Sequence, residues 1–334
     1  MQEGFRIWAN PSSPHAEGRK AKAALEDARE RVKRALGWEG EVIFTSGASE
    51  AAALALGRAQ APERFVSAVE HDAVLAAALG APRLRVAGDG AVDLGAMIAV
   101  LDRASRPLVA IQSVNSETGN GQNHDDLTDA VHEAGGLVLV DCAQSAGKYP
   151  LPDEIDMAIV AAHKFGGPAG TGALLVRDFA MLEPSGGHER GYRRGTENLP
   201  AILGMAAALE ACSEPYLAED VQRTFEAIAS ELRDAGATLI ADRLDTPTAL
   251  IHAIAMPRLS GQAQLMRFDM AGIAVSQGSA CSSGTLRTSH VLEAMGVEPE
   301  IAERTIRVSF GWNTTRAEVE RLCEVWLDMA RGAA

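Results

Sequence analysis

One cysteine stands in a run of very small residues, Gly278-Ser279-Ala280-Cys281-Ser282-Ser283-Gly284, near the C-terminal end of the chain. A thiol without bulky neighbours is easily reached, whereas cysteines that only pack usually sit among Leu, Ile and Val. The heptapeptide equally suits a helix N-terminus capped by Ser282 or Ser283, so by itself it does not separate the two readings. Other segments carry chemistry of a different kind. Ser46-Gly47-Ala48-Ser49, opening a helix, offers backbone N–H groups and a hydroxyl to an anion such as a phosphate. The plainer reading there is an N-cap at Ser46 or Ser49 with Glu50 in the first turn. Asp141 is a carboxylate that could keep a ring nitrogen protonated, and Lys164 an amine that could form a Schiff base.

These residues need elements to position them. From Ala16 to Leu36 the apolar positions Ala21, Leu25, Ala28, Val32 and Leu36 recur every three or four residues among charged ones, which predicts an amphipathic helix. Short apolar or β-branched runs follow at 41–46, 64–69, 83–87, 107–114, 136–141, 155–162 and 172–177, with helical segments such as 49–59, 93–104 and 124–134 between many of them. Continuous apolar strands alternating with helices predict an α/β fold with a mostly parallel seven-stranded sheet covered on both faces. Ligands of such sheets lie beyond the carboxyl ends of the strands. Those ends read Ser46-Gly47-Ala48-Ser49-Glu50, Glu70-His71, Asn115-Ser116-Glu117, Asp141-Cys142-Ala143-Gln144 and His163-Lys164. A long helical stretch at about 199–235 then leads to a second αβ region carrying Cys281 and Arg307. The expected division is a large domain over 1–235 and a small C-terminal domain over 236–334.

Composition narrows the function. Lys plus Arg number 31 against 45 Asp plus Glu, a net charge of −14 without any basic block, which argues against direct nucleic-acid binding or an anionic membrane surface. No apolar run reaches membrane-spanning length, and the start lacks the layout of a secretion signal, so a cytoplasmic protein is expected. The four cysteines, Cys142, Cys212, Cys281 and Cys323, lie far apart and form no CxxC pair. Neither a zinc site nor a disulfide framework is expected, and no metal is assigned.

The phosphate-loop and dinucleotide fingerprints are missing: Gly147-Lys148-Tyr149 lacks the hydroxyl and the upstream glycine, and the glycines at 166–172 follow a lysine. Asp141 and Lys164 together describe pyridoxal phosphate. Each also has a plainer reading, Asp141 as a helix cap and Lys164 as a solvated cation. His71 stacks on a cofactor ring or is a buried, satisfied histidine.

Eight strings occur in a fixed order: FTSGASE, VEHDAVL, VNSETG, VDCAQSAGK, AAHKFGGPAGTGALLV, GGHERGYRRGTENLPAILG, GIAVSQGSACSSGTLRTSHVLEAMGV and IRVSFGWNTT. In this the chain resembles the cysteine desulfurases, the NifS/IscS-like branch of the class V aminotransferase superfamily, from Asn10 to about Thr315. The resemblance implies the aminotransferase-like fold of pyridoxal-phosphate enzymes (fold type I). It implies a Schiff base on Lys164, with His71 stacked on the ring and acting in acid-base transfer. Asp141 would meet the ring nitrogen and Gln144 the phenolic oxygen. Ala48, Ser49, His163 and, from a second copy of the chain, Thr196 would hold the phosphate, which makes a homodimer part of the site. Arg307 would grip the carboxylate of L-cysteine. Cys281, on a mount of small residues free to move, would take the sulfur as a persulfide, release alanine and pass the sulfur to an acceptor protein, for iron-sulfur clusters or another sulfur-containing product.

Three positions depart from the family pattern. Only nine residues precede Asn10, where the family has a strand and an Asn-Ala-Thr-Thr type segment, so the N-terminal segment reads as shortened. The paired Asn-Asn is Asn115-Ser116, which sets Ser116 beside the cofactor oxygen and leaves Asn115 to face it or the substrate. Ala161 stands where a phosphate-binding serine is usual. The rival readings are another class V enzyme such as a selenocysteine lyase, or a truncated member with impaired activity.

Overall fold

The computed structural model describes residues 1–212, 215–278 and 289–332. The chain divides into two compact units, Met1–Leu84 with Leu94–Ser113 and Asn123–Ser213, and Arg85–Asp93 with Val114–Gln122 and Glu214–Ala334. The division falls at 213/214 and not near 235, and two short stretches of the N-terminal region join the second unit.

The first unit is built on seven strands, β1 (Glu41–Thr45), β2 (Glu63–Ser67), β3 (Arg83–Leu84), β4 (Pro107–Gln112), β5 (Leu137–Asp141), β6 (Met157–Ala161) and β7 (Gly172–Val176), in the order β1-β7-β6-β5-β4-β2-β3. Every strand coincides with a run expected from the sequence. The pairs among β3, β2, β4, β5 and β6 are parallel. β7 is antiparallel to both β6 and β1. A parallel partner needs a crossover of a dozen or more residues, and the glycine-rich stretch between β6 and β7 is too short for one. Two antiparallel steps restore the direction, so β1 ends on the same edge of the sheet as β2, β4, β5 and β6.

The helices of this unit are α1 (Gln2–Arg6), α2 (Ala16–Leu36), α3 (Ala48–Arg58), α4 (Asp72–Ala77), α5 (Leu94–Leu101), α6 (Asp125–Glu133) and α7 (Leu199–Ala211). β4, β6 and β7 are buried along their whole length, and Ile43, Leu108, Leu139, Met157, Ile159 and Leu174 form one cluster with the apolar face of α3. α2 buries Ala21, Leu25, Ala28 and Val32 as its periodicity predicts, and ends on Gly37 in the left-handed conformation (φ 63°). It also buries Arg29, which no hydrophobic pattern predicts.

The helical stretch expected over 199–235 is two helices, α7 and α8 (Glu219–Asp234), with Pro215, which has no N–H to donate, between them. The second unit places α8, α9 (Gly261–Met270), α10 (His290–Ala294), α11 (Pro299–Glu303) and α12 (Arg316–Gly332) with an antiparallel sheet of β8 (Thr238–Leu239), β9 (Ile251–Ala255) and β10 (Thr305–Ser309), ordered β10-β9-β8. Its core contains Phe225, Phe268, Ile306 and Trp326. The ring of His252 lies 4.0 Å from that of Phe225 and 5.2 Å from that of Phe310.

Two histidines make the fold acid-sensitive. Burial lowers His124, in the first unit, and His252, in the second, to about 4. The unfolded chain takes up these protons below about pH 6.5 and the folded chain only near pH 4, so stability is complete above 6.5 and falls as pH drops through that window. Each histidine accounts for on the order of 2–3 kcal/mol when the pH reaches its folded-state value. Urea unfolding at pH 7 and pH 5 is expected to show this loss, and His252→Phe to flatten its share of it; an equal slope in the variant would refute the assignment.

Candidate active site

The carboxyl edge of the large sheet carries Ala48, Ser49, His71, Asp141, Gln144, His163 and Lys164, each at or just after the end of a strand. At the end of β1 the chain turns through Thr45-Ser46-Gly47 into α3. Gly47, not Ser46 or Ser49, occupies the N-cap, at φ 146° and ψ −177°, and no side chain caps the helix. This φ is one that residues with a Cβ rarely adopt. The turn also packs closely on β7, for a Cβ on Gly172 would lie 2.9 Å from the Gly47 Cα. Ala48 and Ser49 thus present the first N–H groups of an eleven-residue helix without a side-chain cap. Free N–H groups at a helix start are suited to an anion. Glu50 accepts from the Ser46 N–H at 2.5 Å and from Arg193 Nε at 3.0 Å. Burial would raise its carboxyl, but these donors outweigh burial and hold it low.

His71 follows β2 as the N-cap of α4, its Nδ1 accepting from the Ala73 N–H at 3.1 Å. An Nδ1 that accepts carries no proton, so the neutral ring bears its hydrogen on Nε2. Asp141 ends β5 and accepts from the Ala143 N–H at 2.9 Å. Burial raises its carboxyl, opposed by that N–H and by the charges of His71 and Lys164, which places the three groups within one electrostatic neighbourhood. Lys164 and His163 lie in a short 3-10 turn directly after β6, both exposed. Burial and then the neighbouring Lys164 charge lower His163. Gln144 Oε1 accepts from Lys148 Nζ at 3.5 Å. Burial, then the Lys164 charge, brings Lys148 down to about 8. Ala161 is buried at the end of β6 and presents no polar group. Thr196 is exposed in the segment before α7.

The remaining predicted residues belong to the second unit. Asn115 is buried, and its Oδ1 accepts from the Glu117 and Thr118 N–H groups at 2.9 and 2.8 Å and from Thr118 Oγ1 at 3.1 Å. Its carbonyl therefore shapes the turn. The Ser116 carbonyl accepts from Arg307 Nη1 at 2.9 Å, while the Arg307 main chain pairs with Ser276. Arg307 on β10 is thus held at both backbone and guanidinium. Cys281 and its neighbours Ser279 to Gly284 lie outside the described residues.

Sequence reasoning gave no role to several groups that the structure brings to these places. Glu70 is fully buried beside Asp141, and its Oε1 accepts from the Gln112 N–H at 2.7 Å. Burial and the Asp141 charge raise its carboxyl well above the usual range. Glu117 is buried and accepts from Ser289 Oγ at 2.6 Å, close to the start of α10. The usable signal for each was a charged residue next to a strand end. Among the described residues, Cys142 and Cys323 are buried, Cys212 is half-buried and none is paired. Burial raises the thiols of Cys142 and Cys323, the latter to about 12, so both are poor nucleophiles.

A pyridoxal-phosphate-sized group fits this donor set: an uncapped helix N-terminus for a phosphate, a carboxylate for a ring nitrogen, an amine for an aldehyde and an imidazole beside them. The family model for class-V aminotransferases matches residues 2–322. The chain belongs to the class-V aminotransferase family. Among its relatives in this family is a cysteine desulfurase of Cereibacter sphaeroides, 37% identical, the alignment covering 95% of this chain and 87% of the relative. A solved NifS-like protein matches with a TM-score of 0.88 at 30% identity, over 98% of this chain and 93% of the other. SspA in complex with cysteine matches with a TM-score of 0.78 at 28% identity, over 93% of each chain. This class-V chain has the fold of those proteins, and among its described residues no helix is long and apolar enough to cross a membrane.

Proposed function

We propose that this chain is a pyridoxal-phosphate-dependent cysteine desulfurase, converting L-cysteine to L-alanine and leaving the sulfur as a persulfide on Cys281. The observation that carries this reading is the convergence of His71, Asp141, Lys164 and the uncapped start of α3 on one edge of the sheet. The similarity to cysteine desulfurases, and to a protein bound to cysteine, supports the choice of substrate.

Ala48, Ser49 and His163, with Thr196 of a second copy, would hold the phosphate; Asp141 would meet the ring nitrogen, Gln144 the phenolic oxygen and Lys164 the aldehyde. Bound there, the cofactor supplies an electron sink at the substrate α-carbon. The Ser116 hydroxyl is assigned to the cofactor, and the committed oxygen of Asn115 gives it a part in shaping the turn that carries Ser116. The chain's own groups then divide the work. Arg307 binds the substrate carboxylate through its planar fork. Lys164 Nζ moves the α-proton, which requires an amine that loses and regains a proton near neutral pH. His71, with its proton on Nε2, faces the reacting groups as a donor. The Cys281 thiolate attacks the substrate sulfur as the carbon–sulfur bond breaks, so a sulfur–sulfur bond replaces it and the carbon gains a proton. An acceptor protein then takes the sulfur. A cytoplasmic location fits a thiol that must stay reduced.

Incubating purified, cofactor-loaded protein with L-cysteine and measuring alanine together with a mass increase of one sulfur on Cys281 tests this directly. Neither product forming would defeat the reading. Arg307→Lys keeps the charge but loses the fork. Removing one charge-assisted hydrogen bond costs about 1.5–3 kcal/mol, so kcat/KM for L-cysteine is expected to fall roughly 10- to 100-fold, mainly through KM. An unchanged KM would reassign the carboxylate site.

A further inference from the structure

The segment His188–Glu197 forms an arch ahead of α7. His188 bridges Arg193 across the base, and His188 Nδ1 lies 3.2 Å from Glu197 Oε2. Inside the arch two consecutive residues with side chains, Glu189 and Arg190, take left-handed conformations at φ 47° and 56°. Such strain persists only where surrounding contacts over-determine it.

The contacts are unusually complete. Glu189 and Arg29 are buried with side-chain exposures of 1% and 2%, and their guanidinium and carboxylate meet at two points, 2.8 and 3.2 Å. Glu189 Oε2 also accepts from the Phe44 N–H at 2.8 Å, in β1, and the Arg29 guanidinium lies 4.8 Å from the Phe44 ring. Arg29 further donates to the Val42 carbonyl. Arg190 pairs with Glu41, and Tyr192 stacks on Phe179 at 4.5 Å. On the far side Arg193 binds Glu50, in the first turn of α3, whose N-terminus is the phosphate site assigned above. Arg194, Gly195 and Thr196 are exposed at the end of the arch. A buried ion pair of this kind is weak evidence for added stability, since apolar residues of similar size often serve as well. It needs a reason other than stability.

We propose that the buried Arg29–Glu189 pair is a positioning device, holding the strained arch so that Thr196 projects to a second copy of the chain while Arg193 ties the same arch to the phosphate-binding start of α3. Arg29 and Glu189 touch neither cofactor nor substrate; they act through the arch. This rests on the assignment of Thr196 to the partner's cofactor phosphate. The pair therefore sets both self-association and cofactor affinity.

Arg29→Met/Glu189→Met removes the pair without leaving a buried charge. Arg193→Met, at a half-buried position, cuts the second tie and covers the case in which the double variant does not fold. Cofactor affinity is read by titrating apoprotein with pyridoxal phosphate, and self-association by sedimentation. The double variant is expected to melt within a few degrees of wild type yet bind the cofactor at least ~10-fold more weakly and dissociate at higher protein concentration. Arg193→Met is expected to weaken cofactor binding severalfold. Arg29→Lys, which keeps the charge, is expected to recover part of the loss. Wild-type cofactor affinity and self-association in both Met variants would overturn the proposal and leave the functional reading standing. A wild-type protein that binds no pyridoxal phosphate would defeat both.

Discussion

Replacing Cys281 by alanine is expected to abolish sulfur release from L-cysteine while leaving cofactor binding intact. Cys281 is the proposed nucleophile, and residues acting as one catalytic unit lose roughly 10³-fold or more when the nucleophile is removed. Burial explains why the other cysteines are poor substitutes. Cys142 and Cys323 are buried with raised thiols, and Cys212 is also raised, by burial opposed only in part by Lys148. The measurement is alanine production and persulfide content of the purified variant, with the visible absorption of the bound cofactor as control. The variant should still change that absorption on adding L-cysteine, because substrate binding and α-proton transfer rest on Arg307 and Lys164. Persistent alanine formation at the wild-type rate would show that sulfur leaves by another route, as in a lyase that uses no cysteine.

Lys164→Ala is expected to be equally severe for a different reason. The only amine assigned to the aldehyde is lost, and with it the proton carrier, a role that contributes roughly 10²–10⁴-fold on its own. Cofactor held by Ala48, Ser49, His163, Asp141 and Gln144 alone should remain bound but dissociate on dialysis, and its absorption should shift to that of free aldehyde. An unshifted spectrum would mean that a different lysine forms the bond. Lys148 is the candidate to examine then, since burial and the Lys164 charge already bring it down to about 8. The two variants separate cleanly: one binds and activates substrate without taking sulfur, the other never activates it.

Much of the large sheet was readable from the chain because its strands are buried on both faces, so each appears as a short, continuous apolar run. What those runs do not encode is direction. β7 is as apolar as β6, and its antiparallel setting follows from the short connection between them, which also returns the end of β1 to the edge that holds Asp141 and Lys164. The helical stretch expected over 199–235 is two helices, because a uniformly apolar segment before Pro215 and an amphipathic one after it both read as helical and only the proline marks a break. Likewise 85–93 and 114–122 join the second unit although they interrupt the first in sequence. That assignment arises from contacts distant along the chain, such as Arg307 with the Ser116 carbonyl.

By itself the sequence determined the strands of the large sheet, the amphipathic α2 and, through ordered motifs, the family, because apolar periodicity and short strings are local properties. Only the tertiary structure decided which nitrogen of His71 carries the proton, that Asn115 spends its side-chain oxygen on a turn, and that Glu70 and Glu117 are buried beside the functional residues. Arg29 is the sharpest case. In a helix crowded with Arg, Lys and Glu nothing marks it, yet it is buried against Glu189, 160 residues away in the chain. Burial of a charge depends on a partner brought from elsewhere, and no local pattern can announce that partner.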